Sequence, residues 1–542
     1  MLPFQLSPFP TEHRWPLVLL LLLLLAVCVL APGIQSPTGL TGKDEYALGL
    51  RTPLEMMEKD VWLVPELNGQ PRLKKPPFLY WLGRASYETF GVSLVSARGI
   101  GTLFGALLVV AAAGIGRRLL GDRRAALCGA LLVLTSLGLN SEARRFMLDV
   151  PTAALSALAF WGLLRWYQDG RWVGMLQAAL CLAAGFLVKG PIVALVCGGG
   201  VLACLGSGLW SWRELLRRWP ACLGGSTLFL LLALPWFVYV RLHYPDAAAA
   251  EFQEELEARQ LFSLSPESLL GLVQIGLPWS LAALALLPRA WRGGPAARTL
   301  ALWLAATFIP FLFIRSFDRY LVGSLLSMGL LAGWCWAGAQ PLPVWGRRLG
   351  TLFAGLFVLI FVLMAWWFRC GGWLPTAAAL LWLLWEGWRG ASLLRGAAAA
   401  ALVWMTFYAF LFPAFGINVL PPQVAALAAE RPVLMFDGPQ PALLPMALGR
   451  ALGHSSQLSP AFLEQPGLLV FARLEDVPKL TGQADELGRD LREAGRYRVL
   501  SSRGSGIRFA REGSGKAEWQ AAFAARSLAP LESTVVYFEV QR

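Results

Sequence analysis

The sequence predicts an all-α polytopic membrane protein with a smaller α/β domain at its C-terminal end. Three observations carry that prediction. Hydrophobic residues are 56% of the 542 and charged residues 15%, against about 45–50% and about 25% in a soluble domain. Mean hydropathy is +0.55. The apolar residues fall in repeated runs on the scale of a bilayer-crossing helix, about 17–25 residues, and these runs stop near residue 415, where polar and charged residues return. Disorder, collagen and disulfide scaffolds are excluded by the same composition. The net charge of +13 would suggest nucleic acid in a soluble protein, whereas in a membrane protein such an excess belongs to cytoplasmic loops.

Taken in order, the run 16–33 follows a short segment carrying Arg14 and resembles a signal peptide or a first span. The runs that follow favour an uncleaved span. Further windows lie at 98–116, 125–140, 150–165, 173–188, 191–209, 221–240, 268–288, 299–314, 320–337, 350–368, 374–388 and 396–415, about thirteen transmembrane helices in all. An odd number puts the two ends on opposite sides. With the N-terminus inside, the inner loops receive Arg117, Arg118, Arg123, Arg124, Arg165, Arg171, Arg213, Arg217, Arg218, Arg289, Arg292, Arg298, Arg347, Arg348, Arg389 and Arg395, a regular positive-inside pattern. Nucleic acid thereby drops out as a partner. No internal repeat is evident, which counts against a transporter built from inverted halves.

Residues 1–415 form the membrane module and 416–542 an extracytoplasmic soluble domain. The first outer loop (34–97) and a later one (241–267) are the other places where water-soluble chemistry can occur. In the tail, Val433–Phe436, Leu468–Phe471 and Val535–Val540 read as strands and 441–453, 482–494 and 516–527 as helices. The eight cysteines lie mostly in apolar runs without CxxC spacing and read as small buried hydrophobes. Three scattered histidines exclude a histidine-built metal site.

Asp44 and Glu45 stand just past the first span, where carboxylates must reach water or a partner. Two readings fit: Asp44 capping a short amphipathic helix through Met57, or a general base at the membrane surface. Further on, Asn68-Gly69 and Pro76-Pro77 make a turn and stiffen the chain around Lys74 and Lys75, ahead of Tyr80, Trp81, Tyr87 and Phe90, which suit the headgroup layer. These lysines bind phosphate or snorkel to the interface.

The stretch WLVPELNGQPRLKKPPFLYWL (62–82), preceded by DEYA (44–47), resembles the first periplasmic loop of the lipid-phosphosugar-dependent glycosyltransferases of the GT-C fold, in particular the bacterial aminoarabinose (lipid A) transferases, within the superfamily that includes protein mannosyltransferases. RRFMLD (144–149), GFLVKGP (185–191), LPW (234–236), LPWS (277–280) and RSFDRY (315–320) are similar to the same family. The likeness covers the membrane module and fades in the tail.

The resemblance implies an inverting glycosyltransferase of the bacterial inner membrane. Its donor would be a polyprenyl-phosphate sugar and its acceptor a lipid A-like lipid, protein or glycan on the outer face. It implies Asp44 as the catalytic carboxylate and Asp149 as a second one, the latter alternatively a helix cap paired with Arg145. Lys75 matches the family's loop lysine, and Glu45, Tyr46, Lys74, Tyr80, Arg144, Arg145, Lys189, Arg315, Arg319 and Tyr320 complete the expected substrate-binding set. Arg144, Arg145, Arg315 and Arg319 fall on outer loops against the positive-inside trend, which a lipid phosphate or outer-leaflet headgroups would explain. The chain departs from the family at Tyr46-Ala47, which directly follow the Asp-Glu pair, and at Lys74, where relatives carry an acid. In the later outer loop it has Glu251, Glu254, Glu255, Glu257 and Arg259 where relatives tend to carry histidines. No cofactor is therefore expected; a divalent cation held by carboxylates alone is the remaining possibility. A multi-span transporter or flippase, and an inactive scaffold of the same fold, are the alternatives to an enzyme.

Overall fold

The computed structural model describes residues 14–67, 69–260, 262–338, 341–390, 392–438, 443–501 and 506–541; Asn68 of the Asn-Gly turn lies outside them. The first helix, α1 (Trp15–Leu30), is apolar on every face and packs along α4, burying Leu22, Ala26, Val29 and Leu30, so it is an integral part of the bundle. The first long loop folds into a π-helix (Gly42–Leu50), α2 (Arg51–Glu58), a two-residue ribbon of β1 (Glu66–Leu67) and β2 (Gln70–Pro71), and α3 (Phe78–Phe90). Thr41, not Asp44, caps the π-helix: its hydroxyl accepts from Glu45 N at 3.2 Å.

Then come α4 (Leu94–Leu120), α5 (Arg123–Leu134), α6 (Leu137–Glu142), α7 (Asp149–Asp169), α8 (Trp172–Lys189), α9 (Val193–Gly206), α10 (Trp212–Arg217), α11 (Trp219–His243), α12 (Pro245–Arg259), α13 (Glu267–Ile275), α14 (Ser280–Leu284), α15 (Leu287–Arg292), α16 (Pro295–Phe308), α17 (Leu325–Ala337), α18 (Val344–Trp367), α19 (Trp373–Arg389) and α20 (Leu393–Thr406). Small residues let these helices approach closely, as in membrane bundles generally. A Cβ on Gly162 of α7 would strike the carbonyl of Gly174 on α8, and one on Gly329 of α17 the carbonyl of Gly129 on α5.

Every sequence window holds helix, yet only seven stretches among the described residues are long and apolar enough to cross a membrane, plus the pair α13 and α14–α15, bent by 110°. Several of the thirteen windows are filled by short or broken helices, such as α5 and α6, parted at Thr135–Ser136. One of the seven, Trp172–Gly206, is a hairpin. Gly190 sits at φ 73 and Val193 folds back against Gly185. Ser156 of α7 bonds both Val193 O and Cys197 N, while Gly200 abuts Phe160, so α9 runs parallel to α7.

The bundle has two chemically different ends. α4 and α7 start at the end that carries Asp44 and Asp149 and finish at the other, where Arg118 pairs with Asp169 and Arg117 lies over Trp15. The second domain follows the acidic end. It comprises α21 (Pro422–Ala429), β3 (Val433–Phe436), α22 (Leu443–Leu448), β4 (Gly453–Ser455), α23 (Pro460–Leu463), β5 (Leu469–Arg473), α24 (Val477–Glu486), β6 (Leu491–Val499), α25 (Lys516–Ala525) and β7 (Ser533–Val540). Its sheet has the order β4-β3-β5-β7-β6, parallel across β4-β3-β5 and antiparallel beyond. The helix expected over 482–494 ends at Glu486, and β6 begins five residues later; of the helix expected over 441–453, whose first two residues lie outside the described ones, the described part is helical over Leu443–Leu448 and gives way to β4. The domain meets the first loop through Asn418 Nδ2, which donates to Leu40 O at 2.9 Å.

Candidate active site

The site is assembled at the acidic end from four separate segments. The π-helix presents Asp44, the first turn of α7 presents Asp149, the last residue of α8 is Lys189, and the 3₁₀ turn Asp318–Ser324 carries Arg319 and Tyr320. Arg319 joins the two carboxylates: Nη1 lies 3.0 Å from Asp44 Oδ2 and Nε 3.3 Å from Asp149 Oδ2. Lys189 Nζ bonds the other Asp149 oxygen and sits 3.5 Å from the centroid of the Tyr320 ring. Asp149 thus pairs with Lys189 and Arg319, not with Arg145 as its capping alternative supposed. These side chains are mostly buried, 4–14% exposed, so their charges act through protein more than water and are worth more than at a surface.

Behind them is a second layer. Glu45 is gripped at both oxygens by Arg98, 2.7 and 2.9 Å, and accepts from Phe146 N at 3.1 Å. Burial alone would raise the Glu45 carboxyl, but the charge and hydrogen bonds of Arg98, aided by Arg145 and Phe146 N, hold it below the usual glutamate value. Arg98 also donates to the carbonyls of Ile34 and Ser36. Arg145 reaches Thr41 Oγ1 at 3.0 Å and Glu142 at 3.4 Å. Arg319 Nε and Arg145 Nε meet Asp149 and Glu45 as ion pairs, at 3.3 and 3.8 Å, without a hydrogen bond among the described residues.

Adjoining the carboxylates is a groove of about 1780 Å³. Its polar end is lined by Lys74, Lys75, Lys189 and Tyr320, and its length by apolar residues of α9, α11 and α16, including Leu202, Trp236 and Leu302. Gly198 faces open space, with nothing within 4 Å of where a methyl group on its Cα would stand. The fourteen residues of α9 give the groove a wall about 21 Å long at 1.5 Å per residue. Helix α12 roofs it, and from that roof Glu255 bonds Lys75 at 2.9 Å while Glu254 bonds Lys74.

Several sequence candidates lie elsewhere. Arg144 donates to the carbonyls of Pro32 at 2.9 Å and Val29 at 2.6 Å and to Asn140, and stacks 4.3 Å from the Tyr408 ring; it bolts α1 to the loop before α7. Tyr80 is buried, its hydroxyl accepting from Arg72 at 3.2 Å. Tyr46 is buried in the loop core and Glu45 is closed by Arg98. Arg315 is exposed and makes no ion pair among the described residues. Sequence reading missed Arg98 and Glu142. Arg98 heads α4 at the same end as Arg319, an end read from the sequence as the outer one, and the positional anomaly that singled out Arg319 would have found it. Among the described residues no three metal-ligating side chains converge, and two of the glutamates on α12 are spent on lysines.

The fold is thus a helical bundle whose paired carboxylates and cations lie beside a long apolar groove, with an α/β domain over the same end. The chain is similar over 97% of its length, at TM-score 0.66 and 18% identity, to the crystal structure of ArnT from Cupriavidus metallidurans bound to undecaprenyl phosphate, covering 98% of that chain. Residues 50–249 match the family described as dolichyl-phosphate-mannose-protein mannosyltransferase. In sequence the chain resembles undecaprenyl phosphate-alpha-4-amino-4-deoxy-L-arabinose arabinosyl transferase 2 of Pseudomonas fluorescens, 28% identical over 64% of this chain and 65% of that one. The corresponding transferase of Pseudomonas paraeruginosa is 30% identical over 50% of this chain and 51% of its own length. The chain thus spans between about half and two thirds of the length of these two relatives. It is a multi-pass membrane protein of the GT-C fold.

Proposed function

We propose that the protein is an inverting glycosyltransferase that moves a sugar from a polyprenyl-phosphate donor to an acceptor on the extracytoplasmic face. The observation that carries this reading is the bridge Asp44–Arg319–Asp149–Lys189 at the mouth of the apolar groove. A prenyl chain suits a groove walled by Leu202, Leu302 and Trp236, and its phosphate would then lie against Lys189, Lys75 and Arg319. Asp44 takes the acceptor's proton as the acceptor oxygen attacks the anomeric carbon. The bond from that carbon to the phosphate oxygen breaks on the opposite face, and the charge that grows on the leaving phosphate is met by cations already in place. Asp149 holds Lys189 and Arg319 in position for that task.

The N-terminus is cytoplasmic in this reading and the α/β domain extracytoplasmic, because the surface arginines gather at the end away from the site, as the positive-inside rule requires. A transporter would carry its charges near the bilayer midplane; here they lie at helix ends. The test is Asp44→Asn in membranes supplied with native lipid-linked sugars. Transfer disappears while membrane insertion and thermal stability persist; full activity in the variant removes Asp44 from the mechanism. Lipid and glycan mass spectrometry of cells with and without the gene identifies sugar and acceptor together, as one added sugar mass on one class of molecule.

A further inference from the structure

A second, smaller cavity of about 270 Å³ lies at the arginine end of the bundle, far from the carboxylates, near the lower limit of pockets that hold small ligands. It is walled by Trp279, Trp336 and Thr351, by Ser392 at the head of α20, and by Arg347 and Glu386. Glu386 is its unusual member. The side chain is 7% exposed, yet its one ion pair among the described residues is to Arg395 at 3.5 Å, and Arg395 is itself 56% exposed. No described residue donates a hydrogen bond to the Glu386 carboxylate. The Glu386 side chain lines the cavity, so a donor bound there can reach its carboxylate, as buried carboxylates are normally hydrogen-bonded.

Arg347 supplies the complementary charge. Its guanidinium lies against Gly390, whose φ of +65 and absent Cβ leave the space. Nε donates to Gly387 O at 3.1 Å and Nη1 to Gly390 O at 3.5 Å, and Nη2 has no partner among the described residues. An acid and a base with spare capacity thus share one cavity with two indole walls, and indoles favour a cation at their faces. The cavity is at the ends of α18, α19 and α20, with Arg348 and Arg389 nearby stacked on Trp388 and Trp385, as suits a bilayer surface.

We infer that this cavity binds a zwitterionic primary-amine headgroup, its ammonium on Glu386 and its phosphate on Arg347, which makes it a phosphatidylethanolamine site on the side opposite to catalysis. The inference stands independently of the proposed reaction. The test uses the full chain in nanodiscs of equal parts phosphatidylethanolamine and phosphatidylglycerol, followed by native mass spectrometry of the retained lipid. Wild type retains phosphatidylethanolamine over phosphatidylglycerol by about tenfold or more, the factor that 1.4 kcal/mol of selectivity produces, and Glu386→Gln loses the preference. Should that variant fail to fold, wild type is offered N-acylated phosphatidylethanolamine, which lacks the ammonium; it is not retained. Displacement by soluble O-phosphoethanolamine shows that the headgroup charges suffice, and persistence of the lipid in its presence shows that acyl chains add to the same site. Equal retention of both lipids, retention of the N-acylated lipid, or an unchanged preference in Glu386→Gln overturns the inference.

Discussion

The two ends of the bundle carry the same residue types and use them in opposite ways. At one end Arg118 and Asp169 pair at 30% and 29% side-chain exposure, and Arg348 and Arg389 lie on tryptophan faces. At the other, Arg319, Asp149 and Lys189 pair at 14%, 4% and 5%. An exposed pair is worth at most about 1 kcal/mol, so the first set adds little to stability. A buried pair suffers heavy desolvation and persists because it is completed by neighbours or by a ligand. The contrast teaches that the charge that matters for chemistry is the charge the fold has withdrawn from water.

The largest effect expected from breaking the comparison is at Arg319. Arg319→Met lowers transfer by about 10²–10³, the range for removing one preorganised electrostatic group, with insertion unchanged; steady-state assay of the purified variant measures it. Next, Arg98→Leu strands the charge of Glu45 and costs about 3–5 kcal/mol, read as a large fall in melting temperature. The double replacement Arg98→Leu with Glu45→Leu recovers most of it, because a buried pair removed whole costs far less than a pair halved. A smaller effect comes from the groove. Gly198→Phe fills open space in its wall and raises KM for the donor about tenfold with kcat little changed, while helix content by circular dichroism stays constant. Smaller still, Glu255→Gln removes the ion pair between Glu255 and Lys75 and tightens polyprenyl-phosphate binding by a few-fold at low salt, as expected where a carboxylate and a phosphate compete for one cation.

The GT-C architecture was legible because bilayer-length apolar runs, the arginine loops and the first-loop motif all point the same way. What the sequence hid is local. Arg144 and Arg319 share one signature, an arginine on an outer loop, yet Arg144 spends its guanidinium on the carbonyls of Val29 and Pro32 and Arg319 bridges two acids. Distances in space separate them, and a one-dimensional pattern does not contain those distances. The start of β6 reads as the end of a helix in sequence because Arg492, Glu493, Arg496 and Arg498 mask its alternation; on an edge strand such charges block further pairing. The pairing of Glu254 and Glu255 with Lys74 and Lys75 joins segments 180 residues apart, which only the tertiary fold reveals.

The central claim is that the withdrawn cations at the acidic end, and not the arginines at the other, hold the lipid phosphate. Binding of undecaprenyl phosphate to the purified full chain, measured for Lys189→Met and Arg118→Met beside wild type, tests it most directly. The account predicts about tenfold or more weakening for Lys189→Met and no change for Arg118→Met. Equal weakening in both, or none in Lys189→Met, contradicts it.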